Sequence, residues 1–343
     1  MTSAPAAATE TARAMAVARR TIRARARRGQ ALAMVLGLVM VGAVVYLSHP
    51  AAIVPKLQRL GLGTVLEVLA LNLPVLGLRS WRADLILRRL GQRVPIHRML
   101  AVQLVGQTSS ALTPAASGDF VRAWLWRRDD EVPLATGAAT VVFERSFSFG
   151  LLIAVAVLLV AFPRFGLPGW ALVATGLTAA ALAPYLFSRS SSRSDRWLER
   201  VISRLPWIGG SSERVLRALG ELRAIMASPP VLLSAGAATI VIYALSGFQL
   251  WILADALGHH SAITQMVATY AISQIGGIVS TLPFGLGPAD IVAVGAMARY
   301  GVDVSMAAVV VLLSRVLATL PMAIASIPAY LLLGRPSITG SGE

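Results

Sequence analysis

Long apolar stretches, separated by short polar clusters, recur along this chain at 31–48, 141–162, 170–187, 231–257 and 307–333. At roughly 20 residues per bilayer crossing, such runs predict several membrane-spanning helices, hence an all-α, polytopic integral membrane protein built as a helical bundle. Two further apolar segments are interrupted. The first carries Gln103, Gln107, Ser109 and Ser110, breaks at Thr113-Pro114, and is followed only by a short arm before Arg127-Arg128-Asp129-Asp130-Glu131. The second, 264–282, breaks at Pro283-Phe284-Gly285-Leu286-Gly287-Pro288 and continues as an arm from Asp290 to Tyr300. Proline disfavours helix at the residue before it, and neither second arm is long enough to cross a bilayer. The pattern predicts re-entrant hairpins near 96–127 and 264–300, with an ordinary proline-kinked helix as the alternative. Non-helical backbone is not tolerated against lipid, so each break must lie inside the protein or beside a water-filled cavity.

The breaks organise the chain. Residues 1–30 form a basic tail, 31–187 a first membrane half, 188–230 an amphipathic linker, 231–333 a second membrane half and 334–343 a C-terminal tail. The expected spans are 31–48, a return after Gly63 ending among Arg79, Arg82, Arg88 and Arg89, then 133–161, 168–187, 231–257 and 305–333. Each half then holds three spans with a hairpin between the second and third. One unit recurs in both halves. Ser110, Leu112, Pro114, Gly118 and Asp119 lead to Glu144-Arg145; Thr281, Leu282, Pro283, Gly285, Gly287 and Asp290 lead to Arg315. Interrupted segments at corresponding places in two halves mark the central binding region of carriers, and the arithmetic of spans predicts an inverted-topology repeat.

Composition sharpens this picture. The 343 residues are 56% hydrophobic and only 14% charged, with mean hydropathy +0.70, more apolar surface than a water-soluble domain buries. The net charge of +15 resides in arginine clusters at 13–28, 88–98 and 189–223, where a positive-inside bias places cytoplasmic loops. This predicts a multi-pass protein of a bacterial-type cytoplasmic (inner) membrane, with both termini and 188–230 inside, and 163–166 and His259-His260 outside. No aromatic or fold signature points to nucleic acid. Within the linker, Leu198, Val201, Ile202 and Leu205, then Val215, Leu216, Leu219 and Leu222, recur at helical spacing and predict short lipid-facing surface helices. The basic N-terminus with its long apolar run reads as an uncleaved signal anchor. No cysteine is present, and the four histidines form no ligand pattern, so neither metal nor other cofactor is expected.

A charge at mid-bilayer costs about 2.5–3.5 kcal/mol on insertion scales, which makes Arg145, Arg315, Glu144, Asp119, Asp290 and Glu67 the candidates for chemistry. Arginine suits a phosphate because its planar fork donates bidentate hydrogen bonds and keeps its charge when partly dehydrated. Arg145 and Arg315 therefore either cradle an anionic headgroup or pair with Asp119 and Asp290, and a carrier can alternate between these states. Glu144 and Arg145 lie about 100° apart on a helix, so they face different partners, with Glu144 expected to meet a hairpin backbone or a cation. The glycine-rich break at 285–287 can present backbone N–H groups to an anion. Gln103, Gln107, Gln249 and Gln274 either line the cavity or bond helix to helix. No nucleophile motif or acid/base carboxylate pair is evident, so the chain is not expected to be an enzyme.

Taken together, these residues resemble the lysylphosphatidylglycerol synthase transmembrane family. The resemblance rests on Pro114 with Gly118-Asp119 and Arg122, on Glu144-Arg145, on Leu282-Pro283 with Gly285, Gly287 and Asp290, and on Arg315. It implies a helical bundle with re-entrant elements that moves a charged lipid between leaflets, and it makes these positions the substrate-binding set. The chain departs from the family pattern at Ala116, Ser148 and Asp290. Family members that synthesise aminoacyl lipid carry a further soluble domain, whereas this chain ends at Glu343, so synthase activity is not expected. The expected partners are membrane lipids, anionic, aminoacylated or polyprenyl-linked, with self-association left open. The alternative is a non-transporting scaffold for a glycosyltransferase or lipid-modifying enzyme.

Overall fold

The computed structural model describes residues 60–113, 118–161, 169–189, 212–279 and 287–333. These form ten α-helices and no strand. In chain order they are α1 Leu62–Arg89, α2 Ile96–Leu112, α3 Phe120–Asp130, α4 Leu134–Ala161, α5 Gly169–Arg189, α6 Ser212–Met226, α7 Pro229–Ala256, α8 Ile263–Val279, α9 Pro288–Arg299 and α10 Val304–Leu333. Four are long and apolar enough to cross a bilayer: α1, α4 over Leu134–Ala154, α7 and α10. The chain is thus an all-α, polytopic membrane protein. The tail 1–30, the expected span 31–48, Pro114, the 163–166 loop, 198–205, Pro283, Gly285 and the tail 334–343 lie outside the described residues.

The helix boundaries follow local chemistry. Pro229 and Pro230 open α7, where a missing N–H costs nothing. Asp303 precedes α10 and accepts from the N–H groups of Ser305 (3.0 Å) and Met306 (3.1 Å), satisfying two donors of the first turn. Gly287 precedes α9 with φ 94°, a backbone conformation that disfavours any side chain, and its N–H donates to Asp290 Oδ2 at 3.1 Å.

Helices α2 and α3 form a hairpin. At its base Arg98 Nε lies 2.6 Å from Asp130 Oδ1, and Arg98 Nη2 donates to the Asp129 carbonyl at 2.7 Å. Burial holds the Asp130 carboxyl above the usual carboxylate range, against the pull of Arg98. The 17 residues of α2 extend about 25 Å and the 11 of α3 only about 16 Å. Helices α8 and α9, of 17 and 12 residues, pair in the same way.

Two buried clusters mark the ends of the bundle. One joins Ala83 and Leu87 of α1, Met99 at the start of α2, Trp126 of α3, Val132 before α4, and Leu333 at the end of α10. The other joins Val68 of α1, Leu253 of α7, Met266 at the start of α8, Met297 at the end of α9, and Ala307 at the start of α10. The base of the α2/α3 hairpin thus lies at one end and that of α8/α9 at the other. The first end is arginine-rich, carrying Arg88, Arg89, Arg93, Arg98, Arg127 and Arg128, with Arg128 stacked over Trp124 at 4.8 Å.

Helices α1 and α7 run antiparallel across the centre with reciprocal contacts. Asn72 and Arg82 stand ten and twenty residues after the first residue of α1; Thr239 and Gln249 stand ten and twenty after the first of α7. Arg82 Nη1 donates to Thr239 Oγ1 at 2.7 Å, and Gln249 Nε2 donates to Asn72 Oδ1 at 3.0 Å. The twenty-to-ten contact is made in both directions. Gln249 is therefore a helix-to-helix bond.

Two expectations need correction. Helix α6 does not face lipid alone: Ile225 is fully buried, Leu222 and Met226 pack with Ile86, Phe143 and Leu232, and Thr136 of α4 donates to Glu221 at 3.1 Å. The C-terminal part of its apolar stripe is covered by α4 and α7, while Val215, Leu216 and Leu219 remain half-buried. Arg79 and Arg82, expected at the polar end of a span, instead lie within α1, seven or more residues before its last residue, turned into the bundle.

Candidate functional site

The α2/α3 hairpin brings its break against the middle of α4. At the break, the Gly118 N–H donates to Thr113 Oγ1 at 2.6 Å, and a Cβ on Gly118 would overlap the Ser109 carbonyl. Only hydrogen fits where the two backbones meet, which places Asp119 at the tip. Arg145, eleven residues into α4, pairs with Asp119 through Nε and Nη2, and Nη2 also donates to Ser110 Oγ at 3.0 Å. The Arg145 side chain is 55% exposed although it sits mid-helix, so it borders open space while held by the hairpin.

Glu144 faces the other way, as its position one residue earlier requires. Its Oε2 accepts from Arg122 Nη1 at 2.6 Å and its Oε1 from Arg82 Nε at 3.1 Å. Arg122 Nη1 also donates to Gln103 Oε1 at 2.9 Å, and Arg82 Nη1 to Ser148 Oγ at 3.1 Å. This buried network ties α1, α2, α3, α4 and α7 together through one carboxylate. Arg122 reaches it across Gly106, where a Cβ would overlap the Arg122 side-chain stem. A valine at Gly106 is expected to push Arg122 off Glu144 and to lower stability by about 1–3 kcal/mol, the usual cost of overpacking, read as a lower Tm in detergent.

In the second half Arg315, again eleven residues into its helix, places Nη2 2.8 Å from Asp290 Oδ1. Asp290 is simultaneously held by the Gly287 N–H, so the carboxylate links the start of α9 to α10. The corresponding Arg–Asp pairs therefore form in both halves.

Residues 30–326 match the family model described as the lysylphosphatidylglycerol synthase TM region. The chain belongs to that family. It is also similar to a UPF0104 membrane protein of Methanothermobacter thermautotrophicus, 23% identical over 322 residues, which cover 88% of this chain and 95% of that protein. For a member of the lysylphosphatidylglycerol synthase TM family, the arrangement places Asp119, Arg122, Glu144 and Arg145 in one connected group and Asp290 with Arg315 and Gly287 in another. Glu67 is exposed and belongs to neither.

Sequence reasoning missed Arg79, Arg82, Tyr243 and Tyr270. Arg79 and Arg82 stand one turn apart on the same face of α1. Arg79 lies in the field of Arg82, Arg145, Asp119 and Tyr270, and Tyr243 in that of the same three arginines. The two tyrosine rings meet edge to face at 5.9 Å. One signal was available: Arg79 and Arg82 precede Arg88, in the Arg88-Arg89 terminus of an apolar helix, by nine and six residues. Among the described residues no three histidines or acids gather to hold a metal.

Proposed function

We propose that this protein is a lipid flippase or lipid-linked-substrate transporter that moves an anionic or aminoacylated lipid between leaflets by alternating access. The observation that carries this reading is the matched pair of Arg–Asp clasps, Asp119–Arg145 and Asp290–Arg315, each at the tip of a helical hairpin and each eleven residues into the following helix. An arginine clasped by a carboxylate holds its charge in a low-dielectric interior and can exchange that partner for a phosphate without leaving the charge unpaired.

The two hairpins act as re-entrant elements, and the halves as an inverted-topology repeat. The opposed hairpin bases and the reciprocal α1–α7 contacts support this, because equivalent helices related by an axis in the membrane plane must run antiparallel. Rocking one half against the other then opens the centre alternately to each side, with Asp119 and Asp290 releasing their arginines in turn. The arginine-rich end is cytoplasmic by the positive-inside rule, in an inner membrane with both chain termini inside.

Orientation is checked with single cysteines, since the chain has none of its own. A cysteine at His260 is expected to react with a membrane-impermeant maleimide in intact cells, and one at Arg93 only after permeabilisation. The opposite labelling would overturn the orientation. Function is tested in vesicles carrying fluorescent anionic and aminoacylated phospholipids, polyprenyl phosphates and glycolipids. Purified protein is expected to accelerate leaflet exchange of at least one of them. Folded protein that accelerates none would favour the scaffold reading instead.

A further inference from the structure

The two halves share a backbone plan but not a charge. In the second half the centre holds one matched pair, Arg315 with Asp290, and α9 has no basic residue before Arg299. The positions of α7 that correspond to Arg79 and Arg82 of α1 are Ser246 and Gln249. The first half gathers Arg79, Arg82, Arg122 and Arg145 around only two carboxylates, Asp119 and Glu144. Both carboxylates are already engaged, Glu144 by two arginines and Asp119 by Arg145. Arg79 makes no ion pair among the described residues.

Among the described residues the centre therefore holds two positive charges in excess, with the phenol of Tyr243 in the field of Arg79, Arg82 and Arg145 and its ring against that of Tyr270. Arginine keeps its proton under such conditions, so the excess is not removed by titration and requires an anion. Arg79 and Tyr243 each stand one turn from the bonded pair Arg82–Thr239, on facing sides of α1 and α7. We infer that Arg79, Arg145, Tyr243 and Tyr270 together form a site for a phosphomonoester dianion, the headgroup of a lipid such as phosphatidic acid or a polyprenyl monophosphate. This rests on the transport reading above and narrows its substrate. A monoester carries close to two negative charges at pH 8 and cancels the excess. A phosphodiester carries one and leaves half of it, and an aminoacylated phosphatidylglycerol, with net positive charge, adds to it. Ser110, already bonded to Arg145, and the two phenols supply the neutral donors that a third phosphate oxygen needs.

The test is binding to the full-length purified protein in detergent at pH 8, independent of transport. Short-chain phosphatidic acid is expected to bind at least tenfold more tightly than the matching phosphatidylglycerol, with short-chain lysyl-phosphatidylglycerol weaker still. Inorganic phosphate is expected to compete only at far higher concentration, because it lacks acyl chains; equal competition would mean a free-phosphate site and overturn the lipid assignment. Arg79→Gln is expected to reduce phosphatidic acid affinity to the phosphatidylglycerol level, and Arg79→Lys to keep most of the preference. A Tm within a few degrees of the parent shows that the variant is folded; if it is not, Tyr243→Phe serves as the second probe, with a several-fold loss expected. Equal binding of the three lipids, or a preference that survives Arg79→Gln unchanged in folded protein, overturns the site. Selective binding without leaflet exchange would instead refute the transport reading and leave the site standing. Exchange without selectivity would do the reverse.

Discussion

Replacing Arg145 and Arg315 together by alanine is expected to reduce leaflet exchange to the rate of protein-free vesicles, while the protein still inserts. Each arginine sits eleven residues into a membrane helix and is clasped by the aspartate of its own hairpin. Losing one leaves Asp119 or Asp290 without its cation, and one face of the cycle can no longer hold the headgroup. Losing both removes the fork that a phosphate needs on either side. Single lysine substitutions separate the two roles of these residues. Lysine keeps the charge and can still pair with the aspartate, but it donates as a point rather than as a planar fork. Arg145→Lys and Arg315→Lys are therefore expected to retain the Tm of the parent within a few degrees and to lose tenfold or more in exchange rate. Normal exchange by a lysine variant would assign that arginine to structure alone.

Removing the Glu144 carboxylate is expected to cause the largest loss of stability. The side chains of Glu144 and Arg122 are almost entirely buried, and that of Arg82 is only 13% exposed. Glu144→Ala leaves two buried guanidinium groups facing each other with no counter-ion, where breaking a single buried pair already costs about 3–5 kcal/mol. The effect is read as a loss of folded protein on thermal unfolding in detergent. Glu144→Gln preserves acceptor and shape but not charge, so it is expected to fall between the parent and the alanine variant. Pairing Glu144→Ala with Arg122→Met should recover part of the loss, because the second change removes one of the stranded charges. If the double variant is as unstable as the sum of the singles, the two residues are not coupled and the network is not what holds α3 against α4.

Much of the architecture is written locally. Apolar run length sets α1, α4, α7 and α10, because a helix that must satisfy its own backbone in lipid needs a minimum number of apolar residues. Glycine marks the described edge of each break, Gly118 where only hydrogen fits against the Ser109 carbonyl and Gly287 through its positive φ. The Asp119–Arg145 and Asp290–Arg315 pairings were legible as one of two alternatives, because nearly the same acid-to-arginine spacing, 26 and 25 residues, occurs in both halves and an arginine midway along a membrane helix needs a counter-ion. The partition of Glu144 away from Arg145 followed from the turn angle of a helix. Local pattern did not reveal which way α1 is rotated. Its apolar residues surround it, so no stripe of its own shows that Arg79 and Arg82 face inward; Glu144, Ser148 and Thr239, 62, 66 and 157 residues away, decide that. Likewise α6 has an apolar stripe that reads equally well against lipid or protein, and only the presence of α4 and α7 settles which. Hydropathy is a property of each segment. The rotation of a helix about its axis, and hence the excess of positive charge at the centre, exists only once the partners from distant parts of the chain are in place.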